Sequence, residues 1–175
     1  MVKLTPEQIE KIFIHRRDCF ATQQSNGAYY PTRREITIED IKKHLNGDIT
    51  LGAYCLNTDN TVKWACIDLD GTDLRRLKGD ATILYDLFPE FSRILEESGR
   101  RGYHVWVLFN VSVPASYAQQ LIKSRLNRIN MLRFEIFPKQ VSLSETRKYG
   151  NLVKIPLGVH KLSGKKSKIL KYEGI

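Results

Sequence analysis

Cysteine is scarce in this chain of 175 residues: Cys19, Cys55 and Cys66 are odd in number and far apart. They form no CxxC pair, so neither a disulfide framework nor a zinc knuckle is supported. Long apolar runs are missing as well, and no stretch reaches the length of a membrane-spanning helix. The opening Met-Val-Lys-Leu-Thr-Pro-Glu lacks the apolar core of a secretory signal, so a cytoplasmic protein without a membrane partner is expected. Acids are in deficit. Nineteen Asp and Glu face 28 Lys and Arg, a formal charge of +9 and a pI near 9.5, which favours a polyanionic partner.

The basic residues recur in pairs, Arg16-Arg17, Arg33-Arg34, Arg75-Arg76, Arg100-Arg101 and Arg147-Lys148, and the stretch Lys161–Lys171 adds five lysines. Any one pair taken alone reads most simply as a solvated surface. Beside clustered acids, the set favours nucleic acid, with positive flanks gripping a backbone around an acidic centre. The hydrophobic share of 42% is ordinary for a soluble protein and sufficient for a real core, in one domain or in two small lobes.

Local signals order the chain. Thr5-Pro6-Glu7-Gln8 is a helix start with a capping box, and Ile9, Ile12, Phe13, Cys19 and Phe20 extend an apolar stripe to about residue 22. Residues 23–34, with Ser25-Asn26-Gly27 and Tyr30-Pro31, read as a loop. A short helix over 38–45 follows, capped by Thr37 and ended near Gly47. Strands at about 49–56 and 61–69 are joined by Asn57-Thr58-Asp59-Asn60 as a hairpin. A helix over 80–87 turns Ile83, Leu84 and Leu87 inward and stops at Phe88-Pro89. Phe91, Ile94 and Leu95 also fit a helical stripe, but a strand running into Ser98-Gly99 is preferred because it pairs with the β-prone Tyr103–Phe109. Pro114 opens a helix with Ala118, Leu121, Ile122, Leu126 and Ile129 on one side, and strands near 132–137 and 151–156 close the pattern. This order predicts an α+β fold: a mostly antiparallel sheet with helices on one face and the chemistry on the free face.

Four features carry chemistry. In Trp64-Ala65-Cys66-Ile67-Asp68-Leu69-Asp70-Gly71, a strand turns Asp68 and Asp70 to the same side, roughly 7 Å apart, with Ala65, Ile67 and Leu69 opposite. Two acids on one rigid edge repel unless a cation or a strong donor lies between them, which suits a divalent metal held by carboxylates and substrate phosphates. Ser98-Gly99-Arg100-Arg101-Gly102-Tyr103-His104-Val105-Trp106 combines a tight glycine turn with fixed positive charge and a histidine just inside the next strand. A plain hairpin with a packed histidine is the competing reading. Glu135, within Arg133-Phe134-Glu135-Ile136-Phe137-Pro138-Lys139-Gln140, is either a paired or metal-bound acid or an ordinary outward polar residue. The last feature, Gly150–Lys161, is a strand ending in a cationic turn, a phosphate contact or simply a sheet edge.

In this order, Asp68-x-Asp70, the Ser98–Trp106 segment, Glu135 with Ile-Phe-Pro-Lys-Gln, and the closing strand resemble the archaeo-eukaryotic primase superfamily. More narrowly, they are similar to the primase-polymerases of mobile elements, conflict systems and CRISPR-associated loci. The resemblance runs from about Tyr29 to Lys168 and includes His44-Leu45-Asn46-Gly47 and Gly52-Ala53-Tyr54. It implies a single primase-polymerase catalytic domain over 1–175, with a small N-terminal α/β lobe (about 1–60) packed on an RRM-like catalytic lobe (about 61–175). Asp68, Asp70 and Glu135 would be the catalytic metal ligands, for two Mg²⁺ or Mn²⁺ ions. Ser98, Arg100 and His104 would hold the incoming triphosphate, with Lys154 and His160 near nucleotide or primer. Arg33, Arg34, Arg101, Lys139, Lys165 and Lys166 would contact nucleic acid, and Tyr29 and Tyr30 are candidates to stack on a base.

The implied activity is a DNA primase/polymerase: template-directed, two-metal nucleotidyl transfer from dNTPs or NTPs to a primer 3′-hydroxyl or an initiating nucleotide. Implied partners are a single-stranded DNA template and primer, and beyond them a helicase or CRISPR adaptation proteins, in a prokaryotic or mobile-element setting. Two departures stand out. The cysteine-rich zinc knuckle of many conflict-system relatives is missing, so no zinc is expected. A helical C-terminal domain used for initiation is also missing, so an excised core is expected, better suited to extension than to de novo priming. A metal-dependent nuclease is a rival, but His104 lacks the His-x-His partner of replication-initiator nucleases. A non-catalytic RRM-like binder is another, but it would place aromatics where the acids are.

Overall fold

The computed structural model describes residues 2–174. The segment α1 (Pro6–Phe13) forms because Thr5 and Gln8 cap it reciprocally: Gln8 N–H donates to Thr5 Oγ1 and Thr5 N–H to Gln8 Oε1. The helix ends at Phe13, not near residue 22. Cys19 and Phe20, expected on its stripe, belong to the approach and start of β1 (Phe20–Gln23), which turns through Asn26-Gly27 into β2 (Tyr29–Thr32). The expected loop over 23–34 is thus the hairpin between these strands. Short apolar runs carry either period, and here strand pairing prevails over helix continuation. A second capping box, Thr37 with Asp40, starts α2 (Ile38–Asn46), and Gly47 ends it at φ +92°.

The turn at 57–60 forms, with Asn57 N–H donating to the Thr61 carbonyl at 2.9 Å. The strands it joins, β3 (Leu51–Tyr54) and β4 (Thr61–Asp70), nevertheless do not pair as a hairpin. Both edges of β4 are taken by β6 (Gly102–Pro114) and β7 (Glu135–Phe137), and those of β3 by β1 and β8 (Leu152–Lys154). Two antiparallel sheets result: β2-β1-β3-β8, and β7-β4-β6-β5-β9, with β5 at Ser92–Glu97 and β9 at Lys168–Glu173. The last strand, β9, was not anticipated. Within the larger sheet, β4-α3-β5-β6-α4-β7 is the βαββαβ order of an RRM-like unit.

Helix α3 (Leu74–Asp86) starts earlier than expected because Asp73 caps it, accepting from Arg76 N–H at 3.0 Å. Its buried face is Leu77, Ala81, Leu84 and Tyr85, a spacing of 4, 3 and 1 that leaves Ile83 52% exposed rather than inward. Helix α4 (Ala115–Arg128) buries Ala118, Ile122 and Leu126, while Ile129, its C-terminal cap, turns outward. Alternation sends Ala65, Ile67, Leu69, Val105 and Val107 to the side where α3 and α4 pack. The opposite side of the sheet, which the sequence pattern predicts to be free, is partly covered. At one end Trp64 and Trp106 pack with Phe13 of α1, and Trp64 Nε1–H donates to the Phe13 carbonyl. Toward the other end Lys154 of β8 reaches Glu96 of β5. What stays open on this side is a cleft between the sheets, at the Asp68 end of β4.

Candidate active site

Strand register lines four ionisable side chains across the larger sheet. Glu135 of β7 stands opposite Asp68 of β4, Asp68 opposite His104 of β6, and His104 opposite Glu96 of β5. Directly opposed residues lie close enough to interact, so the row is a chain of charges. Asp68 Oδ1 is buried, lies 3.5 Å from His104 Nε2 and makes no hydrogen bond among the described residues. Burial raises the Asp68 pKa, His104 offsets part of that rise, and Asp70, Glu135 and Glu96 add to it.

His104 is fixed from behind. Its Nδ1–H donates to Glu96 Oε2 at 2.9 Å, and Trp106 Nε1–H donates to the same oxygen. A carboxylate only accepts, so Nε2 is the atom left facing Asp68 and the cleft. Burial alone would lower the His104 pKa. The charge and hydrogen bond of Glu96, with Asp68 behind them, outweigh it and hold the ring above its usual value. Glu96 is fully buried, which pushes its pKa up, but Lys154 and His104 bring it down to about 2.

Lys154 completes this support. Its ammonium donates to Glu96 Oε1, to Ser167 Oγ at 3.0 Å and to the Ile155 carbonyl, so its three donors are committed inside the protein. It lines the cleft as a buried strut. The sequence did not single out Glu96, since a Glu-Glu pair at a strand end looks solvated. Its one signal was its place opposite His104 once the Ser98–Gly102 turn fixes the register.

That turn is laced to the end of β4. Ser98 N–H donates to the Gly102 carbonyl, and Gly71 N–H donates to the Arg101 carbonyl. A Cβ on Gly102 would meet the Leu69 carbonyl oxygen at 1.8 Å, so only glycine lets the strands approach this closely. The turn thereby places Arg100 in the same cleft as Asp70. Ser98, Arg100, His104, Lys154 and His160 line one cleft of about 230 Å³ together with Asp68, Asp70 and Tyr29. Ser98 Oγ and His160 Nδ1 are buried without hydrogen-bond partners among the described residues. Burial, then Arg100 and Lys154, lower the His160 pKa. Tyr29 is in the cleft, whereas Tyr30 is exposed away from it.

Asp68 and Asp70 also border a second cleft of about 270 Å³, where they meet Glu135, Arg133 and Phe134. The carboxylate of Glu135 itself pairs with Lys139 at 3.0 Å. Among the described residues no three His, Cys, Asp or Glu side chains are drawn together tightly enough to cage a metal ion. The donor set nevertheless suits a hard divalent cation: carboxylate oxygens only, one of them buried and without a hydrogen bond among the described residues, amid mutually repelling acids.

The basic candidates divide. Arg34 forms a two-pronged pair with Asp40, and Lys166 Nζ donates to the Leu45 carbonyl at 2.6 Å. Arg33 lies over the Tyr149 ring at 5.9 Å. Arg101 and Lys165 are exposed, without a side-chain partner among the described residues.

An RRM-like antiparallel sheet with paired acids at one strand end, backed by a second sheet across a cleft lined by Asp68, Asp70, Arg100 and His104, is the architecture of a primase-type domain. The family model for the archaeo-eukaryotic primase domain of TOTE conflict systems matches residues 7–173, and the chain belongs to that family, one of primase/polymerase-type nucleotidyltransferases. Among solved structures, the chain is similar to the archaeo-eukaryotic primase domain of the primase-polymerase of cyanophage S-2L. The TM-score is 0.58 at 12% identity, over 90% of this chain and 82% of that one, a likeness of fold. No curated protein matches the chain. No helix among the described residues is long and apolar enough to cross a membrane.

Proposed function

We propose that this chain is a DNA primase/polymerase core, acting as one catalytic unit over 1–175, that joins nucleotides to a primer 3′-hydroxyl under the direction of a single-stranded template. The observation that carries this reading is the row Glu135–Asp68–His104–Glu96, at whose centre a buried carboxylate oxygen has no hydrogen-bond partner among the described residues. Asp68, Asp70 and Glu135 are the residues that would hold Mg²⁺ or Mn²⁺. The bound ions would supply charge neutralisation at the triphosphate and a more acidic 3′-hydroxyl.

The remaining work belongs to the chain's own residues. Arg100 brings fixed positive charge to the cleft, and the Ser98 hydroxyl and His160 Nδ1 are free to meet phosphate oxygens. Glu96 keeps the His104 ring oriented with Nε2 toward the cleft, where a protonated ring donates to a phosphate. Lys154 acts one step back, holding Glu96 in place. Catalysis of this kind is mostly positioning and preorganised charge, with no covalent intermediate on the protein.

Primer extension with labelled dNTPs and NTPs, with and without Mn²⁺, tests the reading. Wild-type protein extends a primer along a template. Asp68→Ala and Asp70→Ala abolish incorporation while keeping fold and DNA affinity. Extension by either variant at the wild-type rate refutes the assignment.

A further inference from the structure

Beyond the two carboxylate clefts lies an open groove of about 540 Å³, larger than either, lined by Lys139, Gln140, Thr146, Arg147, Lys148, Tyr149, Gly150 and Asn151. From its walls and its position we infer that this groove is the track of the unpaired template strand. The inference rests on the polymerase reading and adds to it the path by which the strand reaches the site.

The groove's chemistry points to a polynucleotide rather than to a simple anion. Arg147 and Lys148 are exposed, and their side chains have no partner among the described residues. Their charges are free for phosphodiesters. Two amide atoms of residues lining the same groove are buried without hydrogen bonds among the described residues: Gln140 Nε2, a donor, and Asn151 Oδ1, an acceptor. Buried polar atoms left unpaired are costly, so such a pair marks a place where a ligand completes the bonding. A phosphate can satisfy the donor but offers no hydrogen to the acceptor. The edge of an unpaired base offers both, and in a duplex that edge is already engaged.

The wall behind these groups is rigid. Tyr149 stacks on Tyr54 with ring centroids 5.3 Å apart, and the guanidinium groups of Arg16 and Arg33 lie 5.6 and 5.9 Å from its ring centre. Arg16 also donates to the Lys148 carbonyl at 2.9 Å, which anchors the loop backbone while its side chains stay outside.

Position links the groove to the chemistry. Its near end, Lys139, pairs with Glu135, the acid opposite Asp68. Asn151 directly precedes Leu152, Val153 and Lys154 of β8, all of which line the nucleotide-side cleft. A strand lying in the groove therefore runs directly to the carboxylates.

The test measures binding of a fluorescent mixed-sequence 15-mer of single-stranded DNA by anisotropy, without nucleotide or metal, across a salt series. Arg147→Ala/Lys148→Ala removes two phosphate contacts and leaves the anchoring carbonyl in place. It is expected to weaken binding about tenfold or more and to reduce the log–log salt slope by about 2. Lys42→Ala/Lys43→Ala, an equal charge loss on exposed α2, is expected to leave the slope unchanged. Asn151→Ala should weaken single-stranded binding and leave duplex binding unaffected. In primer extension, the Arg147/Lys148 variant should need more template for half-maximal rate yet reach the wild-type rate at saturation.

A wild-type salt slope in the Arg147/Lys148 variant overturns the inference, as does equal loss in the α2 control or a blunt duplex that binds with the same sensitivity. If the wild-type chain extends no primer but binding still depends on Arg147 and Lys148, the polymerase reading fails and the groove's role as a single-strand site stands.

Discussion

Lys154→Met separates a buried strut from a ligand-facing lysine. In the structure the Lys154 side chain is 5% exposed and Glu96 0%, their charged atoms 3.1 Å apart. Met fills a similar volume but leaves Glu96 as a buried carboxylate without its ammonium partner, with the His104 and Trp106 donors still in place. Removing one partner of a buried pair typically costs about 3–5 kcal/mol, because the other charge stays desolvated. For a domain of this size each kcal/mol moves Tm by about 2–4 °C, so a drop of about 6–20 °C is expected. Thermal and urea melts of Lys154→Met, Glu96→Gln and the double variant measure it. The double variant should be more stable than the sum of the singles by about 1–3 kcal/mol, since the pair is coupled. Suppose instead that Lys154→Met melts like the wild type and loses only nucleotide affinity. The strut is then refuted, and Lys154 is a direct triphosphate ligand.

Three further outcomes follow from the same geometry. A Cβ at Gly158 would meet His44 Cε1 at 2.0 Å, so Gly158→Ala should destabilise the fold by about 1–3 kcal/mol in urea unfolding. His44, clamped between Leu51 N–H and the Pro156 carbonyl, has its pKa lowered by burial and by Lys154 to about 4 from 6.5. The unfolded chain therefore binds the proton first, and stability should fall as pH drops from about 6.5 toward 4. That pH slope should flatten in His44→Asn. His104→Ala should weaken nucleotide binding, read by anisotropy of a labelled dNTP, and leave DNA binding intact. Unchanged nucleotide affinity removes its assigned role.

Much of the catalytic sheet is legible in the sequence because its signals are local. Asp68 and Asp70 end a strand, Gly99 and Gly102 make the turn, and the facing of His104 and Trp106 follows from alternation. The caps at Thr5 and Thr37 are equally local. What escaped depends on long-range pairing. β1 and β2 look like helix end and loop until β3 lies beside β1, and β4 parts from β3 because β6 and β7 take its edges. Lys154 reads as a cationic strand end, and only contact with Glu96, 58 residues away in sequence, turns it into a buried strut. The free cations Arg147 and Lys148 read like the other basic pairs in the sequence, since their groove exists only once residues 139–151 come together in the fold.

The central claim is that Asp68, Asp70 and Glu135 together hold a divalent cation against a nucleoside triphosphate. Calorimetric titration of Mn²⁺ into the protein with a non-hydrolysable dNTP analogue tests it most directly. Saturable uptake by the wild type, lost in Asp68→Ala and Asp70→Ala and weakened in Glu135→Gln, is the expected result. Uptake of equal affinity in Asp68→Ala, or none in the wild type, would contradict it.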